Sequence, residues 1–157
     1  MYFFRLLILF MTFMLAACSG GVNHKPDPAP ARIYHQPQTA STIAIAMQQL
    51  GVPYRYGGKD PSGFDCSGLV YYSYRQTGRN IPRNTTGQLS YAKKVRRADM
   101  RPGDLVFFRI SKNKVSHVGI YIGENRFVHA PSRGKHVQVS YLDNSYWQHR
   151  FITAGRI

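Results

Sequence analysis

The apolar residues of this chain follow a helical period in its first half and the shorter period of strands in its second half. A first helix is predicted after Ser41, a suitable N-cap because its hydroxyl can accept from a backbone N–H of the first turn. A second helix is predicted from Cys66 to about Thr77, with Asp65 as its N-cap, and a third short helical segment within 82–88. The first half of the folded region is therefore predicted to be helical.

Four short runs rich in Val, Ile and Phe follow, and Gly, Asn and Ser residues typical of turns separate them. The runs cover residues 104–109, 116–122, 126–129 and 137–141. Helices first and an antiparallel meander second are typical of an α+β protein. We therefore predict one domain over residues 41–157, in which N-terminal helices pack on a small antiparallel β-sheet.

The residues before 41 have a different pattern. Arg5 is followed by an apolar run that ends at Ala17, and this run is too short to span a bilayer, which needs about 20 residues. A positive charge, a short apolar core and small residues at its end are typical of an export signal, which we place at 1–17. Scattered prolines among polar residues predict an extended tether over 18–40.

The predicted signal ends in Leu-Ala-Ala-Cys at residues 15–18, which resembles the lipobox of bacterial lipoproteins. The resemblance implies that Cys18 is lipidated and anchors the chain to a membrane. In a Gram-negative cell, Ser19 at the next position resembles the outer-membrane sorting pattern, so the expected location is the outer membrane, facing the periplasm. The alternative is an ordinary signal peptide in which Cys18 falls at this position by chance.

The formal net charge is +14, from 21 Lys and Arg residues against 7 Asp and Glu residues. Such a balance favours a polyanionic neighbourhood, for which nucleic acid, anionic lipid and an anionic cell-wall polymer are all candidates. Export from the cytoplasm argues against nucleic acid as a partner. The densest basic segment, residues 93–97, is predicted to be a solvated face rather than a binding groove.

The chain has two cysteines, Cys18 and Cys66, which could form a disulfide in an oxidising compartment. If Cys18 carries lipid, however, Cys66 is a lone thiol, and a lone thiol in an exported protein suggests a reactive role. Its predicted place in the first turn of a helix should favour the thiolate, because the helix dipole stabilises negative charge there. The alternative is that Cys66 is not reactive and packs in the core as a small apolar side chain.

Two downstream histidines complete a candidate catalytic set with Cys66. His117 and His129 lie on predicted strands that a turn at Gly123 joins, so both imidazoles are expected at one edge of the sheet, next to the helix that carries Cys66. A Cys-His-His set can also bind zinc. The sequence separations match no common zinc spacing, so no metal is predicted.

Five segments in this order resemble the NlpC-type family of cell-wall peptidases. They read GVPYRYGG at 51–58, FDCSGLV at 64–70, PGDLVFF at 102–108, HVGIY at 117–121 and FVHA at 127–130. The resemblance implies a papain-like fold with Cys66 as the nucleophile, His117 as the general base and His129 as the residue that orients it. It also implies cleavage of stem-peptide or cross-link amide bonds in peptidoglycan. We expect the protein to be a monomer and to need no cofactor.

The same resemblance places Tyr54 near the nucleophile, where its phenol could donate a hydrogen bond to the developing oxyanion. Ser67 is expected to contact substrate or to cap the helix. Trp147 is expected to pack on a strand or on the C-terminal edge. Three residues could either line the cleft or belong to a surface loop: Arg83, Thr85 and Gln88. Two other functions stay open, a non-catalytic wall-binding lipoprotein and an acyltransferase on the same fold.

Overall fold

The computed structural model describes residues 41–110 and 114–157. The four helices of this part are α1 (Thr42–Met47), α2 (Cys66–Arg75), α3 (Thr85–Tyr91) and α4 (Ser145–Gln148), with a short 3₁₀ turn at Arg97–Asp99. The strands are β1 (Lys59–Asp60), β2 (Gly63–Phe64), β3 (Lys93–Val95), β4 (Leu105–Phe108), β5 (His117–Gly123), β6 (Arg126–His129), β7 (Gln138–Tyr141) and β8 (Phe151–Arg156). The signal peptide, Cys18 and the tether predicted from the sequence lie outside the described residues.

Side-chain caps fix where the helices begin. The Ser41 hydroxyl accepts from the Ala44 N–H at 3.1 Å, and an Asp65 carboxylate oxygen accepts from the Gly68 N–H at 2.7 Å. Both N-caps agree with the sequence prediction. The third helix begins three residues later than the predicted segment, after Asn84, because the Asn84 side chain caps it.

Six strands form one antiparallel sheet in the order β3-β8-β4-β5-β6-β7. Alternate residues of β4 point to opposite faces, so Leu105 and Phe107 pack under α1 and α2, whereas Val106 and Phe108 pack on the other face with Trp147. The predicted α+β class, with N-terminal helices packed on an antiparallel sheet, is confirmed.

Several elements differ from the sequence prediction. Residues 59–64, where no strand was predicted, form the β1–β2 hairpin, and the basic segment at 93–97 contributes the edge strand β3. The charged side chains of this segment are exposed, which suits an edge strand because charge discourages pairing with other chains. Helix α4 and strand β8 were not predicted from the sequence. Strand β8 is nevertheless an inner strand of the sheet, between β3 and β4. Within the described residues, no helix is long and apolar enough to cross a membrane.

Candidate active site

Cys66 is the first residue of α2, and its side chain is partly buried. The backbone N–H groups of Ser67 and Val118 hydrogen-bond to the sulfur, and the Thr85 hydroxyl lies 3.8 Å from it. These donors lower the pKa of the Cys66 thiol, but burial is the larger effect and raises it above its usual value. The helix start supplies donors that favour the thiolate, as expected from the sequence, but desolvation outweighs them and favours the thiol.

A half-buried carboxylate holds the start of α2 in place. Besides capping α2, Asp65 accepts from the Gly57 N–H at 3.0 Å and from both terminal nitrogens of Arg83 at 2.9 Å. The same guanidinium donates to the Gly58 carbonyl at 2.9 Å. Gly68 is required here, because a Cβ at this position would overlap the Gly58 carbonyl oxygen. This network fixes the loop before the nucleophile to the first turn of its helix.

The polar residues that the sequence left undecided divide between this network and the cleft. The Ser67 hydroxyl accepts from Arg83 at 3.0 Å and lies 3.2 Å from Asp65, so it belongs to the network as well as to the cleft wall. Thr85 lies beside the thiol. Gln88 does not line the cleft, since it is fully buried and its side-chain N–H group donates to the Ser67 and Pro82 carbonyls.

The two predicted histidines are in direct contact. Nε2 of His117 lies 2.8 Å from Nδ1 of His129, and Nε2 of His129 lies 2.9 Å from the Ser140 hydroxyl. Pairing of β5 with β6 brings the two rings together, as predicted. Gly119 leaves room for this arrangement, because a Cβ at this position would lie 3.3 Å from the His129 Cβ.

Trp147 covers the histidine pair. Its ring stacks on His117, with a centroid distance of 5.4 Å and an interplanar angle of 26°, and meets His129 edge-on at 4.8 Å. As expected, Trp147 packs on the strands, but its contact with both histidines was not foreseen. Helix α4 places this ring, and no local pattern in the sequence links α4 to the histidines.

Burial controls the protonation of both histidines. It lowers the pKa of His117 to about 3. The pKa of His129 is also lowered well below its usual range, first by burial and then by the charges of His117 and Lys135. Both imidazoles are therefore neutral in the resting protein at neutral pH. Nε2 of His117 faces His129, so Nδ1 is the ring nitrogen that points away from this contact.

An open cleft of about 560 Å³ lies in front of the sulfur. Its walls carry several of the predicted site residues, together with two residues just before β5: Tyr54, Cys66, Ser67, Arg83, Thr85, Lys114 and Ser116. Burial raises the pKa of the Tyr54 phenol, which keeps it protonated and able to donate a hydrogen bond. Within the described residues, no three His, Cys, Asp or Glu side chains are placed to hold a metal ion.

Comparison with known proteins identifies the family. The model of the NlpC/P60 family matches residues 51–156. The chain is 41% identical to the probable endopeptidase NlpC of Escherichia coli over 96% of this chain and 97% of that protein. It is 42% identical to the murein DD-endopeptidase MepH of Escherichia coli over 76% of this chain, and the match spans about half (47%) of MepH.

A solved structure shares the fold. The crystal structure of an NlpC/P60 family protein from Bacillus cereus superposes with a TM-score of 0.71 and 30% sequence identity, over 83% of this chain and 41% of that one. The family match covers the segments that carry Cys66, His117 and His129. The chain belongs to the NlpC/P60 family.

Proposed function

We propose that this chain is a peptidoglycan endopeptidase that cleaves stem-peptide or cross-link amide bonds through Cys66. The observation that carries the proposal is the position of the thiol, which opens into the cleft and hydrogen-bonds to the backbone next to His117. The relatives support it, because NlpC is named an endopeptidase and MepH a murein DD-endopeptidase. Peptidoglycan endopeptidases of this family are cysteine peptidases.

The reaction begins from a neutral thiol and a neutral imidazole. As Sγ of Cys66 attacks the amide carbon, its proton passes to Nδ1 of His117, and the positive charge on that ring is stabilised by the lone pair on Nδ1 of His129. The tetrahedral oxyanion requires donors, and the backbone N–H groups beside the sulfur together with the Tyr54 phenol are in the same cleft. His117 then protonates the leaving amine, and water hydrolyses the thioester.

The test is digestion of purified peptidoglycan with the wild-type protein and with Cys66→Ala, followed by mass spectrometry of the soluble fragments. We expect new fragments only with the wild type. Digestion in ¹⁸O-labelled water separates hydrolysis from acyl transfer, because a hydrolase places one labelled oxygen in each new carboxyl group. Identical fragments from both proteins would refute the peptidase function.

A non-catalytic wall-binding protein is the competing function. It predicts that Cys66→Ala and the wild type sediment equally with peptidoglycan and release nothing. The buried His117–His129 pair favours the enzyme, because binding alone requires no nucleophile with a base and an orienting group.

We also propose that Cys18 is lipidated and that the chain is anchored in the cell envelope, at the outer membrane on its periplasmic side. The support is the lipobox-like run at 15–18 and the net charge of +14, which suits attachment close to anionic lipid and wall polymer. Intact mass spectrometry of protein from a membrane fraction should show a lipid-sized mass gain at Cys18. Cys18→Ser should lose this mass and move to the soluble fraction, and an unmodified membrane-fraction protein would contradict the anchor.

A further inference from the structure

The hydrogen-bond chain of the histidine pair extends one residue beyond the predicted triad. It runs from Nε2 of His117 to Nδ1 of His129 at 2.8 Å and from Nε2 of His129 to Oγ of Ser140 at 2.9 Å. Ser140 lies on β7, opposite Phe127 in the strand register, on the face that carries both histidines. Three strands therefore contribute one continuous polar chain in an otherwise aromatic environment.

Only two proton arrangements satisfy both hydrogen bonds when the rings are neutral. In the first, His117 donates through Nε2–H to His129, which donates through its own Nε2–H to Ser140. In the second, Ser140 donates to His129, and Nδ1–H of His129 donates to His117, whose remaining proton then sits on Nδ1. Only the first leaves a lone pair on Nδ1 of His117, which a base toward the thiol requires.

Ser140 is surrounded in a way that favours the first arrangement. Nε2 of Gln138 lies 3.5 Å from the same hydroxyl oxygen, so a second N–H donor faces Oγ, and a hydroxyl oxygen has lone pairs for both donors. The charged and titratable groups that act on His129 are His117 and Lys135. Both disfavour a positive charge on His129, which leaves the neutral rings and their tautomers as the relevant states. Aromatic rings, Phe127 and Trp147, cover the remaining surface of His129.

We propose that Ser140 is a positioning residue that accepts the Nε2 proton of His129 and thereby selects the tautomer in which His117 can serve as a base. This inference rests on the proposed function, but the tautomers can be observed without turnover. The hydroxyl acts through two rings and does not touch substrate, so its effect should fall on proton transfer rather than on substrate binding.

The direct test is long-range ¹H–¹⁵N NMR of the histidine rings in the full chain at neutral pH, with His117→Gln and His129→Gln for assignment. We expect both rings of the wild type to be protonated at Nε2 and unprotonated at Nδ1. A wild-type His129 that carries its proton on Nδ1 would overturn the proposal. This result does not depend on whether the protein cleaves peptidoglycan.

The matched variants are Ser140→Val and Ser140→Thr, which have the same shape and differ in the hydroxyl. Ser140 lines an open groove of about 370 Å³, so the added methyl groups have space, and valine removes the hydroxyl while keeping the shape of threonine. In Ser140→Val we expect Nδ1–H signals to appear on both rings, whereas Ser140→Thr should keep the wild-type pattern. Ser132→Ala, in the same groove, is the control.

Kinetics on a soluble muropeptide supply the second readout. We expect kcat of Ser140→Val to fall by about 10-fold, the factor that corresponds to ~1.4 kcal/mol for one hydrogen bond, with KM unchanged. Ser140→Thr and Ser132→Ala should stay within about twofold of the wild type. Equal kcat values for the Val and Thr variants would overturn the proposal. If neither the wild type nor any variant cleaves the muropeptide, the rate at which iodoacetamide alkylates Cys66 replaces kcat. The expected order of the proteins is the same.

Discussion

Acid should destabilise this domain, because two neutral histidines, His117 and His129, are buried in its sheet. Burial lowers the pKa of His117 to about 3 in the folded protein, whereas the unfolded chain has its ordinary value of 6.5. A group whose folded pKa is depressed contributes stability above its unfolded pKa and loses it as the pH falls towards the folded pKa. The contribution of His117 is therefore complete above about pH 6.5 and decreases down to about pH 3.

The size of the effect follows from the width of this window. Each pH unit costs about 1.4 kcal/mol of unfolding free energy for one group, so His117 accounts for at most ~5 kcal/mol between the two pKa values. His129 acts in the same direction, since its pKa is also lowered. A loss of this size is comparable to the whole stability of a small domain, roughly 5–15 kcal/mol.

The assay is urea unfolding at about pH 7, 6, 5 and 4, with the wild type, His117→Gln and His136→Gln. Carboxylates titrate in all three proteins, so the difference in pH dependence isolates each histidine. We expect the free energy of unfolding to fall less steeply with acid in His117→Gln. His136 is exposed, and its variant should follow the wild type. Parallel pH curves for His117→Gln and the wild type would refute the reasoning.

Three further changes test the geometry around the site. Gly119→Ala places a Cβ 2.6 Å from a phenylalanine ring atom and 3.3 Å from the Cβ of His129, so urea unfolding should show a loss of ~1–3 kcal/mol and peptidoglycan digestion should be slower. Arg83→Lys keeps the charge but cannot make the forked contact with Asp65. We expect its free energy of unfolding to be ~1–3 kcal/mol lower than that of the wild type, and its Tm to be lower as well. Alkylation of Cys66 by iodoacetamide should accelerate from about pH 6 to about pH 9 without a plateau, and a plateau near pH 6 would contradict the raised thiol pKa.

Much of the fold could be predicted from the sequence, because its signals are local. The caps at Ser41 and Asp65, the period change after the helices and the meander of four strands depend on neighbouring residues, and each lies close to its predicted place. Strand β8 could not be predicted in this way. Its side chains alternate poorly between apolar and polar, and its pairing with β3 and β4 is set by tertiary contacts.

The same distinction between local signals and tertiary contacts applies to the site. The histidine pair could be predicted from two strands joined by a tight turn, and the family that the motifs resemble is confirmed by the match over 51–156. The covering ring of Trp147 and the hydroxyl of Ser140 come from elements that approach the histidines only in three dimensions. The lipidation of Cys18 stays a prediction.

The protonation states of the resting site have a consequence for how the chemistry is driven. Burial raises the pKa of Cys66 and lowers that of His117, so a preformed thiolate–imidazolium pair is disfavoured on both sides. The ions must then form during attack, where the backbone N–H groups beside the sulfur and the lone pair of His129 stabilise them. Such interactions strengthen only as charge develops. They therefore stabilise the transition state more than the resting state, and this lowers the barrier. A small alkylating reagent, which makes no use of the oxyanion donors, should therefore react slowly with a thiol that attacks a bound peptide readily.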